Sequence, residues 1–187
     1  MIKSYLITDP EFYGSDLATF QKNLLLAFKN NSVDFALYRD KNNPNYASLA
    51  KLFVLTCKLH GVKPILHQEY VLAKKLGAFG VHLTSTQFDA IASVKELDLF
   101  VVASTHSSDE ALHVSDLGVD ALTFSPIFDS PNKPNPKGLA PLKEIVGKIK
   151  TKIIALGGIT TDEQIKAVES CGVYAYASIR KFTEGHS

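Results

Sequence analysis

The chain has 187 residues, of which 45% are apolar and 21% are charged, a composition typical of folded globular proteins that argues against intrinsic disorder. Twenty basic residues balance nineteen acidic ones, so the net charge is only +1, which argues against nucleic-acid binding driven by bulk charge. No apolar stretch approaches the roughly 20 residues of a membrane span. Two cysteines without metal-type spacing favour reduced thiols. We therefore expect a cytoplasmic protein, with neither nucleic acid nor membrane as a partner.

Eight short apolar runs recur along the chain, each of about strand length. They comprise residues 5–7, 35–38, 64–66, 80–83, 99–103, 121–124, 153–156 and 174–177. Short, nearly continuous apolar runs are typical of strands that are buried on both faces, as in parallel sheets.

Amphipathic segments with helical spacing lie between these runs. They comprise residues 17–29, 46–59, 69–76, 85–95, 108–117, 140–149 and 161–170. Glycines at positions 61, 77, 118 and 172 each follow such a segment, where glycine adopts the left-handed conformation of a helix end at little cost.

The regular alternation of strand and helix predicts an α/β fold, a (β/α)8 TIM barrel in a single domain over residues 1–187. Only ten residues follow the last predicted strand, so the eighth helix should be truncated or missing. A doubly wound open sheet is the structural alternative. A short eighth helix would leave barrel surface uncovered, and a homodimer is therefore one hypothesis.

Two turns in the carboxyl-terminal part of the chain contain residues that suit phosphate. Gly157 and Gly158 follow the seventh predicted strand, where backbone N–H groups and the start of the next helix can meet an anion. Ser178 and Arg180 follow the eighth strand and offer a hydroxyl and a guanidinium. Barrels commonly bind phosphate after these two strands, so we predict a phosphate site; a plain turn and a solvated basic end are the alternatives.

Further cationic groups lie after the second and sixth predicted strands. Arg39 and Lys41 follow the second strand and suit a diphosphate, although a surface pair with Asp40 is an equal alternative. Residues 129–137 include three prolines, which predict a long loop in place of a helix or central strand. Lys133 lies in this loop, where a lysine on a lid can bind a leaving diphosphate.

Histidines follow or end several predicted strands. His67 ends the third strand and is the best candidate for a catalytic histidine, whereas His106 follows the fifth. No HxH or HExxH spacing occurs, so a dedicated zinc site is not expected.

Six segments, in order and at compatible spacing, resemble the thiamine phosphate synthase/TenI family nearly from end to end. The segments are YLITD at 5–9, YRDK at 38–41, GAFGVHL at 77–83, STHS at 104–107, GVD at 118–120 followed by SPIF at 125–128, and ALGGI at 155–159. The resemblance implies a TIM barrel. It also implies the chemistry of the synthases, which join hydroxymethylpyrimidine diphosphate to a thiazole phosphate with Mg²⁺ and release pyrophosphate.

The resemblance assigns roles to residues at matching positions. The diphosphate would meet Arg39 and Lys41, together with three residues on the lid loop: Ser130, Asn132 and Lys133. The thiazole phosphate would meet Gly157, Gly158 and the turn from Ser178 to Arg180. Ser104 and His106 would line the pocket.

Two departures from the family pattern concern the metal. Synthases carry Asn-Asp at the end of the third strand, where this chain has His67 and Gln68, and an acid after Val-His-Leu, where this chain has Thr86. Neutral oxygens are weak substitutes for carboxylates on Mg²⁺. We therefore predict no metal ligands and no cofactor, with Mg²⁺ required only if the protein is an active synthase.

These departures favour the TenI branch of the family, whose members tautomerise a thiazole carboxylate phosphate without metal. Such a proton shift needs a base. The histidine of the TenI arrangement is replaced here by Pro126, which leaves His67 as the candidate. The alternatives are an active thiamine phosphate synthase and a non-catalytic ligand-binding or regulatory paralogue.

Overall fold

The computed structural model describes residues 1–183, in which eight parallel strands close into a barrel. The strands are β1 (Lys3–Ile7), β2 (Phe35–Tyr38), β3 (Lys63–His67), β4 (Gly80–Leu83), β5 (Phe100–Thr105), β6 (Ala121–Phe124), β7 (Lys152–Leu156) and β8 (Ala175–Ser178). Each strand pairs with its sequence neighbours, and β8 pairs with β1. The predicted (β/α)8 barrel is confirmed, and the open sheet is excluded.

The helices cover the outside of the barrel. They are α1 (Pro10–Tyr13), α2 (Leu17–Asn30), α3 (Tyr46–Leu59), α4 (Tyr70–Leu76), α5 (Ile91–Lys95), α6 (Ser108–Asp116), α7 (Leu139–Lys148) and α8 (Asp162–Ser170). Helix α1 was not predicted. It is a single turn that starts with Pro10, and the side chain of Asp9 caps it by accepting from the Glu11 N–H at 3.0 Å.

Two segments differ from a simple strand–helix alternation. The predicted helix over 85–95 is wrong as one element, because it divides into a 3₁₀ helix (Ser85–Ala90) and α5. Gln87 has non-helical dihedrals and its side chain forms a capping box with Thr84. After β8 the described residues form a 3₁₀ turn, Arg180–Phe182. This agrees with a truncated eighth helix as far as residue 183, and the rest of that prediction lies outside the described residues.

The core has two layers because successive side chains of a strand point to opposite faces. One layer fills the barrel interior with side chains that include Tyr5, Leu37, Ile65, Val102 and Ile154. The other lies between the strands and the helices. No helix within residues 1–183 has the length and apolar character that crossing a membrane requires.

Aromatic rings close the amino-terminal end of the barrel. Phe35 stacks on Phe100 with ring centroids 6.1 Å apart, and Phe79 and Tyr174 pack around them. The Lys63 ammonium lies 5.1 Å and 4.9 Å from the centroids of the Phe35 and Phe79 rings, at cation–π distance. The carboxyl ends of the strands are therefore the face where a ligand can meet the barrel.

Candidate active site

A cavity of about 440 Å³, lined by two basic and two acidic residues, lies at the carboxyl ends of β1 and β2, between Asp9 and the loop from Arg39 to Pro44. The Arg39 backbone N–H donates to the Thr8 hydroxyl at 3.0 Å, and its guanidinium Nη1 lies 3.6 Å from Asp9 Oδ2. Lys41 is exposed at the same opening. The predicted cationic pair therefore lies on one cavity, where it can contact a phosphate-bearing ligand.

Asp40 lies between these two cations, but its carboxylate is buried in the loop. It is 7% exposed and accepts a hydrogen bond from Asn43 Nδ2 at 2.9 Å. The same Nδ2 group donates to the Ser15 carbonyl at 3.1 Å. Asp40 and Asn43 thereby order the loop that carries Arg39 and Lys41.

Two neutral histidines lie in register at the ends of β3 and β4. His67 is 6% exposed, and burial, together with the charges of Arg39 and Lys41, lowers its pKa to about 4. His82 is 3% exposed, and burial, together with His67 and Arg39, lowers its pKa to about 3. Both imidazoles are therefore uncharged at neutral pH and can accept a proton or a hydrogen bond.

A chain of hydrogen bonds links the barrel interior to the mouth. The Tyr5 hydroxyl lies 2.9 Å from His82 Nδ1, and His82 Nε2 lies 2.9 Å from Ser104 Oγ. Ser104 was predicted in the pocket, whereas Tyr5 and its link through His82 were not predicted. Because side chains alternate along β1, Tyr5 points inside the barrel. This alternation is the sequence pattern that could have identified Tyr5.

The ends of β3 and β4 present neutral oxygen and nitrogen atoms at the positions where the resemblance leads us to expect carboxylates in a synthase. Gln68 Nε2 donates to Thr84 Oγ1 at 3.3 Å, and Thr84 Oγ1 lies 3.0 Å from Thr86 Oγ1. Gln68 is held in the left-handed region at φ 66°. Residues 1–183 contain no cluster of three acidic, histidine or cysteine side chains that could hold a metal ion. This donor set does not fit Mg²⁺, which prefers carboxylate oxygens.

His106 lies on the rim beyond β5. Its side chain is exposed, with Nδ1 3.6 Å from Glu110 Oε2, and its backbone N–H donates to the same carboxylate oxygen at 2.6 Å. His106 is therefore associated with the first turn of α6, and its place in a catalytic pocket stays a prediction.

The loop between β6 and α7 carries the three predicted lid residues on an exposed turn. Ser130 Oγ donates to the Phe128 carbonyl at 3.4 Å, and the Lys133 N–H donates to the Ser130 carbonyl at 3.3 Å. Asn132 has a φ of 58°, and both Asn132 and Lys133 are exposed. The Lys137 N–H anchors the far end of the loop to the Pro126 carbonyl at 2.9 Å.

The two glycines after β7 allow this lid loop to pack closely. Gly157 and Gly158 have φ of 104° and 69°. A Cβ atom on Gly157 would lie 2.7 Å from Pro126 Cα, and one on Gly158 would collide with the Asp129 carbonyl oxygen. Glycine is therefore required here both by conformation and by space, and the predicted phosphate turn lies against the base of the lid.

The turn after β8 is tied to the turn after β7. The Ser178 hydroxyl donates to the Ile159 carbonyl at 2.6 Å and accepts from the Lys181 N–H at 3.2 Å. Arg180 is exposed beside it. Ser178 thus joins the two turns predicted to hold phosphate, and the exposed Arg180 can approach a ligand from solvent.

Comparisons with known proteins find one family that matches this chain along nearly its whole length. Residues 4–182 match the family model described as thiamine monophosphate synthase. A putative thiamine-phosphate synthase 2 of Aquifex aeolicus is 32% identical over 186 residues, covering 96% of this chain and 97% of the relative. A thiamine-phosphate synthase of Saccharophagus degradans is 32% identical over 164 residues, covering 83% and 74%. The structure of a thiamine phosphate pyrophosphorylase from Pyrococcus furiosus has the same fold, with a TM-score of 0.85 at 24% identity over 99% of this chain and 89% of that one.

Proposed function

Because the chain belongs to the thiamine monophosphate synthase family, we propose that it binds a thiazole phosphate at the carboxyl end of its barrel. We further propose that it converts a thiazole carboxylate phosphate to the aromatic tautomer without metal. The observation that carries this proposal is the neutral donor set at the ends of β3 and β4, where Gln68 and Thr86 stand at the positions to which the resemblance assigns carboxylates.

His67 is the proposed base in this proton shift. Its imidazole accepts a proton from one ring position of the substrate and returns it at another, so no electrons are gained or lost overall. A histidine with a pKa of about 4 is unprotonated at neutral pH but is a weak base. A bound anion would neutralise the charges of Arg39 and Lys41, which raises the pKa of His67 towards the range that favours proton transfer.

The remaining candidate residues bind and enclose the substrate. Gly157, Gly158 and Arg180 would hold the phosphate, and Ser104 would orient the ring. The lid residues Ser130, Asn132 and Lys133 would close over the anion and exclude water. The packing of the lid base on Gly157 and Gly158 supports coupling between phosphate binding and lid position.

A second candidate is the synthase reaction itself. Arg39 and Lys41 lie on one cavity and suit a diphosphate, and the relatives are named as thiamine-phosphate synthases. It takes second place because the donors at Gln68 and Thr86 do not fit Mg²⁺.

Two product assays on the purified protein distinguish the candidates. The first supplies the thiazole carboxylate phosphate with and without EDTA and follows the aromatic product by its absorbance after chromatography. The second supplies hydroxymethylpyrimidine diphosphate, thiazole phosphate and Mg²⁺ and detects thiamine phosphate after oxidation to a fluorescent derivative. Turnover in the first assay that EDTA leaves unchanged is the expected result.

Other outcomes overturn the proposal in distinct ways. Mg²⁺-dependent product in the second assay alone establishes the synthase. Thiazole phosphate binding with no turnover in either assay establishes the non-catalytic paralogue.

The role of His67 is tested by His67→Ala, with His60→Ala as the matched control because His60 is exposed on the outer surface at the end of α3. Unchanged tautomerase turnover in His67→Ala would remove His67 as the base.

A further inference from the structure

The buried chain from Tyr5 through His82 to Ser104 joins three groups of very different exposure. Tyr5 is 0% exposed and His82 is 3% exposed, whereas Ser104 is half-buried at the carboxyl end of β5. Both hydrogen bonds are 2.9 Å long. The first two groups are therefore shut off from solvent, and the third can contact a ligand.

The direction of these bonds follows from the number of protons available. A neutral imidazole has one N–H donor and one lone pair, so two arrangements exist. In one, Tyr5 donates to Nδ1 and Nε2–H donates to Ser104. In the other, Ser104 donates to Nε2 and Nδ1–H donates to Tyr5.

Only the first arrangement gives the hydroxyl proton of Tyr5 a hydrogen-bond acceptor. Within residues 1–183, His82 is the single hydrogen-bond partner of the Tyr5 hydroxyl. The reverse arrangement would leave the hydroxyl proton of Tyr5 without an acceptor in a fully buried site, and such unsatisfied donors are strongly disfavoured. A protonated His82 would have the same defect, because both ring nitrogens would then donate.

We propose that Tyr5, acting through His82, fixes the Ser104 hydroxyl as a hydrogen-bond donor to the ligand. Ser104 already accepts from His82 Nε2–H, so its own proton is free to point into the mouth of the barrel. The site therefore favours an acceptor atom at this position, such as a ring nitrogen or a carboxylate oxygen, because the Ser104 proton is available to it. Tyr5 is a positioning residue in this scheme, since it does not reach the ligand itself.

This inference rests on the proposed function only in that the ligand binds at the carboxyl end of the barrel. It does not depend on which reaction follows.

The first test uses no ligand. Protein labelled with ¹⁵N-histidine is studied by long-range ¹H–¹⁵N correlation, with His82 assigned from the signals lost in His82→Asn. The expected spectrum has a protonated Nε2 and an unprotonated Nδ1, and Tyr5→Phe shifts the Nδ1 signal as its hydrogen bond is lost. A proton on Nδ1 in the unmodified protein would overturn the proposal.

The second test is a double-mutant cycle on the binding of thiazole phosphate, measured by calorimetry. Ser104→Ala should weaken binding by about tenfold. Tyr5→Phe should weaken binding by a few-fold in the native background and not at all when Ser104 is already alanine. An equal loss in both backgrounds would contradict the action of Tyr5 through Ser104.

A matched control separates this role from the loss of any buried hydroxyl. Tyr38 on β2 is 1% exposed, and within residues 1–183 its hydroxyl has no hydrogen-bond partner. Tyr38→Phe should leave the affinity for thiazole phosphate unchanged, and a loss equal to that of Tyr5→Phe would count against the proposal. If the unmodified protein does not bind thiazole phosphate, the proposed function fails, and the ¹⁵N spectrum still decides the direction of the hydrogen bonds.

Discussion

His67 combines burial with two nearby cations, and all of these effects lower its pKa, to about 4. Because the folded protein holds this pKa below the ordinary value near 6.5, the ring is neutral at pH 7 and becomes protonated only in acid. Binding of inorganic phosphate at Arg39 and Lys41 should raise the pKa of His67, and Arg39→Ala should raise it without any ligand. An NMR titration of the imidazole protons measures both shifts. A pKa that responds to neither change would show that the two cations do not act on His67.

Gly158 illustrates how a backbone requirement supports the site. Gly158→Ala would place a Cβ atom against the Asp129 carbonyl at a positive φ, and we expect a loss of about 1–3 kcal/mol in the free energy of unfolding. Urea denaturation measures this loss. Gly147→Ala is the matched control, because Gly147 lies in α7 with open space around it and should gain up to about 1 kcal/mol. Similar effects of both substitutions would contradict the packing argument.

Acidic side chains in the loops tie neighbouring strands together. Asp34, just before β2, accepts from the Ser4 N–H of β1 at 2.9 Å and from Lys3 Nζ at 2.7 Å. Asp120, just before β6, accepts from the Val101 N–H of β5 at 2.8 Å. The same arrangement at two places in the barrel indicates that each carboxylate fixes the start of one strand against the next.

Removal of this contact should weaken the fold. Asp34→Ala leaves the Ser4 N–H without its charged acceptor, and we expect a loss of about 1–3 kcal/mol in the free energy of unfolding, measured with urea. Asp34→Asn keeps an acceptor oxygen and should lose less. Glu144→Ala, which removes an exposed ion pair with Lys148, should have little effect. Equal stability of the Asp34→Ala variant and the unmodified protein would remove the strand-fixing role.

The strands and most helices could be predicted because their signals are local. Apolar runs and glycine-ended helices predicted all eight strands, and the family match over residues 4–182 confirms the resemblance read from six motifs. Helix α1 was missed because its signal is a single Asp-Pro pair. The division of the 85–95 segment depends on the contact between Thr84 and Gln87, which the apolar periodicity does not reveal.

From the sequence, the site could be predicted only as a group of residues at the carboxyl ends of the strands. Parallel strands bring Arg39, His67 and Ser104 to one face, and this follows from chain order alone. The link from Tyr5 to Ser104 depends on three strands meeting across the barrel interior, so it requires the closed geometry. The hydrogen bonds of Ser178 with the Ile159 carbonyl and the Lys181 N–H likewise require two turns to lie side by side, so the serine alone did not predict them.

The closed barrel separates stability from ligand binding along its axis. Aromatic rings fill the amino-terminal end, whereas the cavity that Arg39 and Lys41 line lies at the carboxyl ends of the strands. The net charge of the whole chain is only +1, so attraction of an anionic ligand must come from the local cations and not from the overall charge. Substitutions at the two ends should therefore affect different measurements.

Phe100 and Arg39 test this separation directly. Phe100→Leu loosens the ring cluster with Phe35 and Phe79 and should reduce the free energy of unfolding by about 1–2 kcal/mol while leaving the affinity for thiazole phosphate unchanged. Arg39→Gln should weaken the affinity for inorganic pyrophosphate, the probe for the cations Arg39 and Lys41, by about tenfold or more and change stability by only about 0.5 kcal/mol. Added salt should weaken binding in the unmodified protein more than in Arg39→Gln, because the variant lacks the positive charge whose attraction for the anion salt screens. Loss of affinity in Phe100→Leu at full folding would mean that the two ends of the barrel are coupled.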